Sequence, residues 1–300
     1  MKVMIMGGTG LIGRKLTQAL LAAGHQVWVL SRNPSKARLA NEVAVTGWDA
    51  RSTQGWGTLV NEMDAVVNLA GENIGASRWT GERLALIRTS RIQAGAAVAM
   101  AIKEAQYRPQ VLVQASAVGY YGTVDDRPLD EVSPPGNDVL AKICLDWEAS
   151  TQPVEELGVR RVVIRTGVVL DKREGALPRM ALPFRLFAGG PLGSGRQWLP
   201  WIHLNDEVAA ICYLIGNENA RGAFNLTAPQ PVTNAEFGKA LAKVLRRPYW
   251  MPVPASLLRL VLGDMSLLVL EGQRPLPRRL TSLGFRFQYD DVEEALCAMY

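Results

Sequence analysis

Short apolar runs recur along the first half of the chain, and the stretches between them return apolar residues every three or four positions. The runs fall at residues 2–6, 27–30, 43–45, 65–71, 111–116 and 162–165, each short enough for a buried strand. The stretches at 14–23, 82–104 and 138–157 carry helical periodicity, the last closed by Gly158 as a C-cap. Strands alternating with helices, with no hairpin signal between them, predict an α/β fold on a doubly wound parallel sheet. Ligands of such sheets lie at the carboxyl ends of the strands. Those ends are the loop from Gly7 to Gly13, Ser31 with Arg32, Leu69 with Ala70 and Gly71, Ser116, and Thr166 with Gly167 and Val168.

The first of these loops reads Gly7-Gly8-Thr9-Gly10-Leu11-Ile12-Gly13. A strand before it and a helix after it make the Rossmann-type unit that binds a dinucleotide. Gly7 permits the tight turn, Gly10 lets the backbone approach a pyrophosphate, and Gly13 lets the helix pack on the strand. The helix N-terminus offers free N–H groups and the positive end of its dipole. Thr9, Leu11 and Ile12 complete the expected cofactor contacts. An acid after the second strand would accept hydrogen bonds from the ribose 2′-OH of NAD. No Asp or Glu lies between Gly13 and Glu42; Ser31, Arg32 and Lys36 stand there instead. Their cations suit a 2′-phosphate, so the expected cofactor is NADP(H). Arg91, on the helix after the fourth run, is a further candidate for the cofactor phosphates.

After Gly167 the texture changes. Pro178, Pro183, Pro191 and Pro200 punctuate the chain, among Gly189, Gly190, Gly193 and Gly195. Asp206 reads as the N-cap of a helix ending near 215, residues 223–226 as a strand, and Thr233 as the start of a helix to 245. The expected organisation is a nucleotide-binding domain at 1–166, to which segments near 200–228 return. A smaller substrate lobe follows at 167–300, including a subdomain at about 249–300.

The net charge of +5, from 33 Lys+Arg against 28 Asp+Glu, suits an anionic cofactor and an anionic small substrate. No basic cluster is interleaved with aromatics, so nucleic acid is not expected as a partner. Cys144, Cys212 and Cys297 are odd in number and lack metal spacing, which reads as reduced thiols in a cytoplasmic protein. The first apolar run is too short for a signal peptide, and Arg259, Gly263 and Asp264 interrupt the apolar stretch 257–270. No membrane partner is expected on that ground, and no metal.

These residues resemble the extended branch of the short-chain dehydrogenase/reductase superfamily. More narrowly, the chain is similar to an atypical epimerase-like subfamily with a C-terminal domain of unknown function. The residues that carry the likeness are the three glycines; the stretch from Asn68 to Ile74 with Arg78 and Trp79; Ser116 to Gly122; and Arg165 to Leu170. Further matches are Pro183 to Arg185, Gly190 to Trp198, Trp201 to Asp206, Glu271 to Pro275, and Gly284 with Phe285. The likeness covers nearly the whole chain. It implies a fold and a nicotinamide cofactor, not a substrate.

In that superfamily a Ser or Thr ends the fifth strand and a Tyr-x-x-x-Lys lies on the next helix. Tyr exchanges a proton with the substrate oxygen, Lys lowers the Tyr pKa, and Ser steadies the oxygen. Ser116 fits the first position, but no Tyr-x-x-x-Lys follows it. Spacing offers Asp138 and Lys142 in their place. Anchoring on Glu148 offers Leu140 and Cys144, which agrees better with the apolar stripe Leu140, Ile143, Cys144 and Trp147. Candidate substitutes for the proton donor are Ser116 with Tyr120, Tyr121 or Glu72. Arg185, Arg196 and His203 are candidates for an anionic substrate. The expected function is an NADP(H)-dependent oxidoreductase or epimerase-like enzyme with a non-standard proton donor; the alternative is a non-catalytic NADP(H)-binding redox sensor or regulator.

Overall fold

The computed structural model describes residues 1–123 and 126–300. Seven parallel strands form the central sheet: β1 (Lys2–Met6), β2 (Gln26–Ser31), β3 (Ala44–Gly47), β4 (Ala65–Asn68), β5 (Val111–Ala117), β6 (Arg160–Thr166) and β7 (Gly222–Leu226). Their order is β7-β6-β5-β4-β1-β2-β3. The chain starts at β1, winds outward through β2 and β3, then returns to β4 on the other side of β1 and winds the opposite way. The reversal between β1 and β4 opens a crevice at their carboxyl ends. This is the doubly wound, Rossmann-type sheet that the alternating pattern predicts.

The period of two along each strand splits the core into two layers. Val3 and Ile5 of β1 join Leu16 and Leu20 of α1 (Leu11–Ala22) in one buried cluster. Met4 and Met6 join Ala94, Val98 and Ile102 of α2 (Gly81–Glu104) in the other. The helix α3 (Val139–Ala149) follows β5, and a third core joins α4 (Leu177–Arg185), α6 (Asn234–Leu245) and the C-terminal helix Val292–Met299. Between α4 and α6 lies α5 (Leu204–Gly216), which packs on α1.

Two local expectations need correction. The helix expected over 138–157 stops at Ala149, and Gln152–Leu157 is a separate 3-10 turn. Pro153 explains the stop, because its ring would strike the carbonyl four residues earlier. Asp206 is not the N-cap of α5. His203 is: its Nδ1 accepts the Asn205 N–H at 3.0 Å. Asp206 lies in the first turn and accepts the N–H groups of Gln288 and Tyr289 at 2.7 and 2.9 Å.

Candidate functional site

The cradle at the end of β1 is built by close approach. Gly7 turns with φ +78°, and a Cβ on it would stand 2.9 Å from the Leu69 carbonyl. A Cβ on Gly13 would stand 2.4 Å from the Gly7 oxygen, so α1 rests directly on the loop that precedes it. Gly10 is the N-cap of α1 and offers no side-chain cap. The N–H groups of Leu11, Ile12 and Gly13 therefore have no acceptor inside the helix, and the dipole favours an anion there. The Thr9 carbonyl accepts from Arg14, whose guanidinium also grips both oxygens of Glu174 at 2.6 Å. Arg179 donates to the Gly75 carbonyl at 2.6 Å. Residues 174–179 are thus fastened to both the glycine loop and the loop after β4.

The end of β4 is fixed by a buried amide pair. Asn68 Nδ2 donates to Gln114 Oε1 at 2.9 Å, while Asn68 Oδ1 accepts the Ala70 N–H. Arg91 packs against Gly71 and donates to the carbonyls of Ile87 and Glu72 at 3.0 and 3.1 Å. Its guanidinium lies 4.7 Å from the Trp147 ring centroid. Arg91 shapes the Gly71–Glu72 turn rather than standing free. At the end of β6, the Gly167 N–H donates to Leu226 and the Val168 N–H to Pro200. A Cβ on Gly167 would stand 2.4 Å from the Pro200 oxygen. Gly167 is small because a neighbouring chain passes over it.

At the end of β2, the Ser31 hydroxyl accepts the Asn33 N–H, and Arg32 and Lys36 are exposed. Arg32 reaches Glu72 at 2.8 Å, and Arg83 approaches the other Glu72 oxygen at 3.4 Å. The Arg32 hydrogen bond holds the Glu72 carboxyl below the usual carboxylate range, against some opposing desolvation. An ionised carboxylate held by two arginines is a poor proton donor, so Glu72 belongs to the Arg32 end of the crevice.

The end of β5 is a closed network. Ser116 is buried, and its hydroxyl donates to Glu148 Oε1 at 2.6 Å. Arg165, inside β6, grips the two Glu148 oxygens at 2.9 and 3.0 Å and donates to the Tyr121 hydroxyl at 3.2 Å. Tyr121 in turn donates to Asn225 Oδ1 at 2.6 Å. Burial pushes the Tyr121 phenol up to about 12, although Arg165 works against the shift. Ser116 and Tyr121 are therefore pinned inside the fold, and the half-buried Ala117 is the last residue of β5. Tyr120 differs: its ring stacks 3.3 Å beneath the Arg165 guanidinium, and its hydroxyl makes no hydrogen bond among the described residues.

The same end of β5 separates the two registers of α3. A Cβ on Gly119 would stand 3.4 Å from Leu140 Cβ and 3.7 Å from Cys144 Sγ. Leu140, Cys144 and Glu148 therefore share the face turned to β5. Lys142 is exposed, in a shallow groove with Leu84 and Arg88 of α2. Burial, with Glu148 adding to it, pushes the Cys144 thiol up to about 12. It is neither a cation nor a ready thiolate.

The three candidates for an anionic substrate are not brought together. His203 is buried and stacks 4.1 Å from the Tyr289 ring centroid, and burial pushes its imidazole down to about 4. It is a neutral helix cap. Arg185 lies over the Tyr300 ring at 5.7 Å. Arg196 is exposed on that loop.

Glu207 was not singled out from the sequence. It is fully buried in the first turn of α5, with Thr166 donating to Oε1 at 2.8 Å and Oε2 without a partner among the described residues. Burial pushes its carboxyl up to about 8, above the ordinary 4.5. The native state therefore binds this proton more tightly than the unfolded chain does. Stability is fully present below about 4.5 and falls as pH rises toward 8. Glu207→Gln should flatten that fall by a few kcal/mol. Urea midpoints across this pH range check it; parallel curves for the two proteins would refute it.

Sequence reasoning also missed the residues of the C-terminal stretch that lie against the loop after β5. Gln273 donates to the Val118 carbonyl at 3.2 Å, and Arg274 stacks 4.4 Å from the Trp198 ring centroid. Their only signal was the resemblance carried by residues 271–275.

The NAD dependent epimerase/dehydratase family matches residues 3–227, and a domain of unknown function matches residues 253–299. Epimerase family protein YfhF of Bacillus subtilis is 42% identical, over 99% of this chain and 97% of its own length. The chloroplastic SDR39U1 homologue of Arabidopsis thaliana is 44% identical, over 100% of this chain and 86% of its own. The crystal structure of human epimerase family protein SDR39U1 with NADPH superimposes with a TM-score of 0.90 at 35% identity, covering 100% of this chain and 99% of the human one. UDP-glucose 4-epimerase of Thermus thermophilus shares the fold, with a TM-score of 0.78 at 20% identity. By the family model, the relatives and the geometry together, this chain belongs to the NAD-dependent epimerase/dehydratase family, in the branch with this C-terminal domain.

Proposed function

We propose that this protein binds NADPH but does not run its family's usual redox chemistry, and instead reports the cofactor's state to a partner. The glycine cradle and the uncapped α1 N-terminus fit the pyrophosphate. Arg32 and Lys36, with no acid after β2, fit a 2′-phosphate. The human relative solved with NADPH supports the same cofactor. NADPH, when bound, supplies a hydride. The observation that carries the proposal is the α3 face turned to β5, where Leu140 and Cys144 stand and no Tyr–Lys pair can pass a proton. Ser116 cannot substitute, because Glu148 holds its hydroxyl inside the fold.

One observation favours a second reading. Among the described residues the Tyr120 hydroxyl, near that end of the sheet, has no partner, and an oxidoreductase or epimerase-like enzyme acting on an anionic small substrate would use it as the proton donor. Two measurements decide. Arg32→Ala should weaken NADPH binding by about 1.5–3 kcal/mol, roughly 10- to 150-fold, and barely change NADH binding. Lys142→Ala should leave both unchanged. Equal loss for the two cofactors would sink the NADPH assignment. Incubation with sugar nucleotides and small carbonyl compounds should give no turnover; turnover abolished by Tyr120→Phe would establish the enzyme instead.

A further inference from the structure

Large exposed apolar side chains gather on one face. Leu182 and Leu186, one turn apart at the end of α4, are 54% and 69% exposed, and Phe187 beside them is 57% exposed. Trp250 and Met251 stand at 64% and 45%. Trp250 Nε1 donates to the Phe187 carbonyl at 2.9 Å and its backbone N–H to Gly189, so the two segments present one surface. A few residues on, the helix Ala255–Leu262 buries none of its side chains and exposes Leu257, Leu260 and Val261 at i, i+3 and i+4.

The positive charge is concentrated in the same segments. Residues 175–205 contain Arg179, Arg185 and Arg196 and no Asp or Glu. Residues 237–263 contain Lys239, Lys243, Arg246, Arg247 and Arg259, again with no acid. These eight cations exceed the chain's whole excess of +5, so the remainder of the chain is slightly acidic. The Arg247 guanidinium lies 4.5 Å from the Phe187 ring centroid, placing charge and apolar surface side by side. Arg179, Lys243 and Arg185 are engaged, with Gly75, Glu293 and the Tyr300 ring respectively; Arg247 lies against Phe187 in the patch, and Arg246 precedes it in the chain.

We propose that this face docks on an anionic bilayer surface, with Trp250, Phe187 and the leucines entering the interface and the arginines meeting lipid phosphates. Aromatic and aliphatic side chains beside Arg make the pattern of a peripheral membrane contact. A second copy is a poorer occupant, because a self-interface would oppose like charges. Among the described residues no helix is long and apolar enough to cross a membrane. The expectation of no membrane partner rested on the short first apolar run and the interrupted stretch 257–270, but surface attachment requires no spanning helix.

The test is co-sedimentation of the full chain with phosphatidylcholine vesicles, with and without phosphatidylglycerol. Binding should require phosphatidylglycerol and fall steeply as salt is raised. Arg246→Glu with Arg247→Glu should weaken it roughly tenfold or more. Trp250→Ser should weaken it at low salt too, while NADPH binding stays unchanged in every variant. Three results would each overturn the proposal: no partitioning onto anionic vesicles at low salt, partitioning indifferent to both sets of substitutions, or a solution dimer that Trp250→Ser dissolves without any vesicle binding. The last would assign the face to a second copy.

Discussion

Arg165→Met will destabilise the protein by about 3–5 kcal/mol, because it leaves the Glu148 carboxylate buried without its cation. Arg165 and Glu148 share two hydrogen bonds, at 2.9 and 3.0 Å, and both side chains are largely hidden from water. The same guanidinium supports the Tyr121 hydroxyl and the Glu131 carbonyl. Deleting it therefore strands several polar groups joining β5, α3, β6 and the loop before α3. The urea midpoint should drop without a change in m-value. Adding Glu148→Gln should recover part of the loss, since an uncharged amide is cheaper to bury than a carboxylate. A single-variant loss below about 1 kcal/mol would mean that the pair is solvated and the network does not hold the sheet together.

Gly13→Ala should abolish useful cofactor binding at a smaller cost in stability. Its Cβ would fall 2.4 Å from the Gly7 oxygen and 2.6 Å from Gly8 Cα, both backbone atoms that cannot rotate aside. The first turn of α1 must move off the loop, costing about 1–3 kcal/mol of stability as overpacking. That movement takes the free N–H groups out of line with the pyrophosphate. Losing two hydrogen bonds to a charged group weakens NADPH by roughly a hundredfold or more. Gly81→Ala is the control, because a Cβ there meets nothing within 4 Å. NADPH titration showing equal affinity in the two variants would refute the geometry.

The sheet and the cradle were legible because their signals are local. Gly7, Gly10 and Gly13 sit between an apolar run and a helical stretch, and Arg32 follows the second run directly. The interior of the site was harder to read. The sequence pattern ends the strand at Ser116, but β5 runs one residue further, to Ala117. The extra residue puts Ser116 inside the strand, where Glu148 takes its hydroxyl, and leaves the half-buried Ala117 at the end. Partners far apart in sequence were out of reach: Asp206 with Gln288, Ser116 with Glu148, and Arg32 with Glu72. The Glu148 anchor did place Leu140 and Cys144 on the inner face of α3, because helical periodicity is itself a local signal.

The outer edge of β7 shows what the C-terminal stretch does for the sheet. Open sheet edges present unpaired backbone groups on which another chain can form a strand. Here side chains occupy that edge. Glu131 accepts the Asn225 N–H at 3.1 Å, and Arg279 donates to the carbonyls of Ala223 and Arg221 at 2.7 and 2.6 Å. Asn225 Nδ2 and Thr227 donate to Leu276 and Pro275. Residues 275–279, together with Glu131, thus act as a seam over this edge and occupy its Asn225 N–H and Ala223 carbonyl. A chain cut before them would expose a strand able to recruit copies of itself, and precipitation through sheet extension would then threaten the protein sooner than loss of its core.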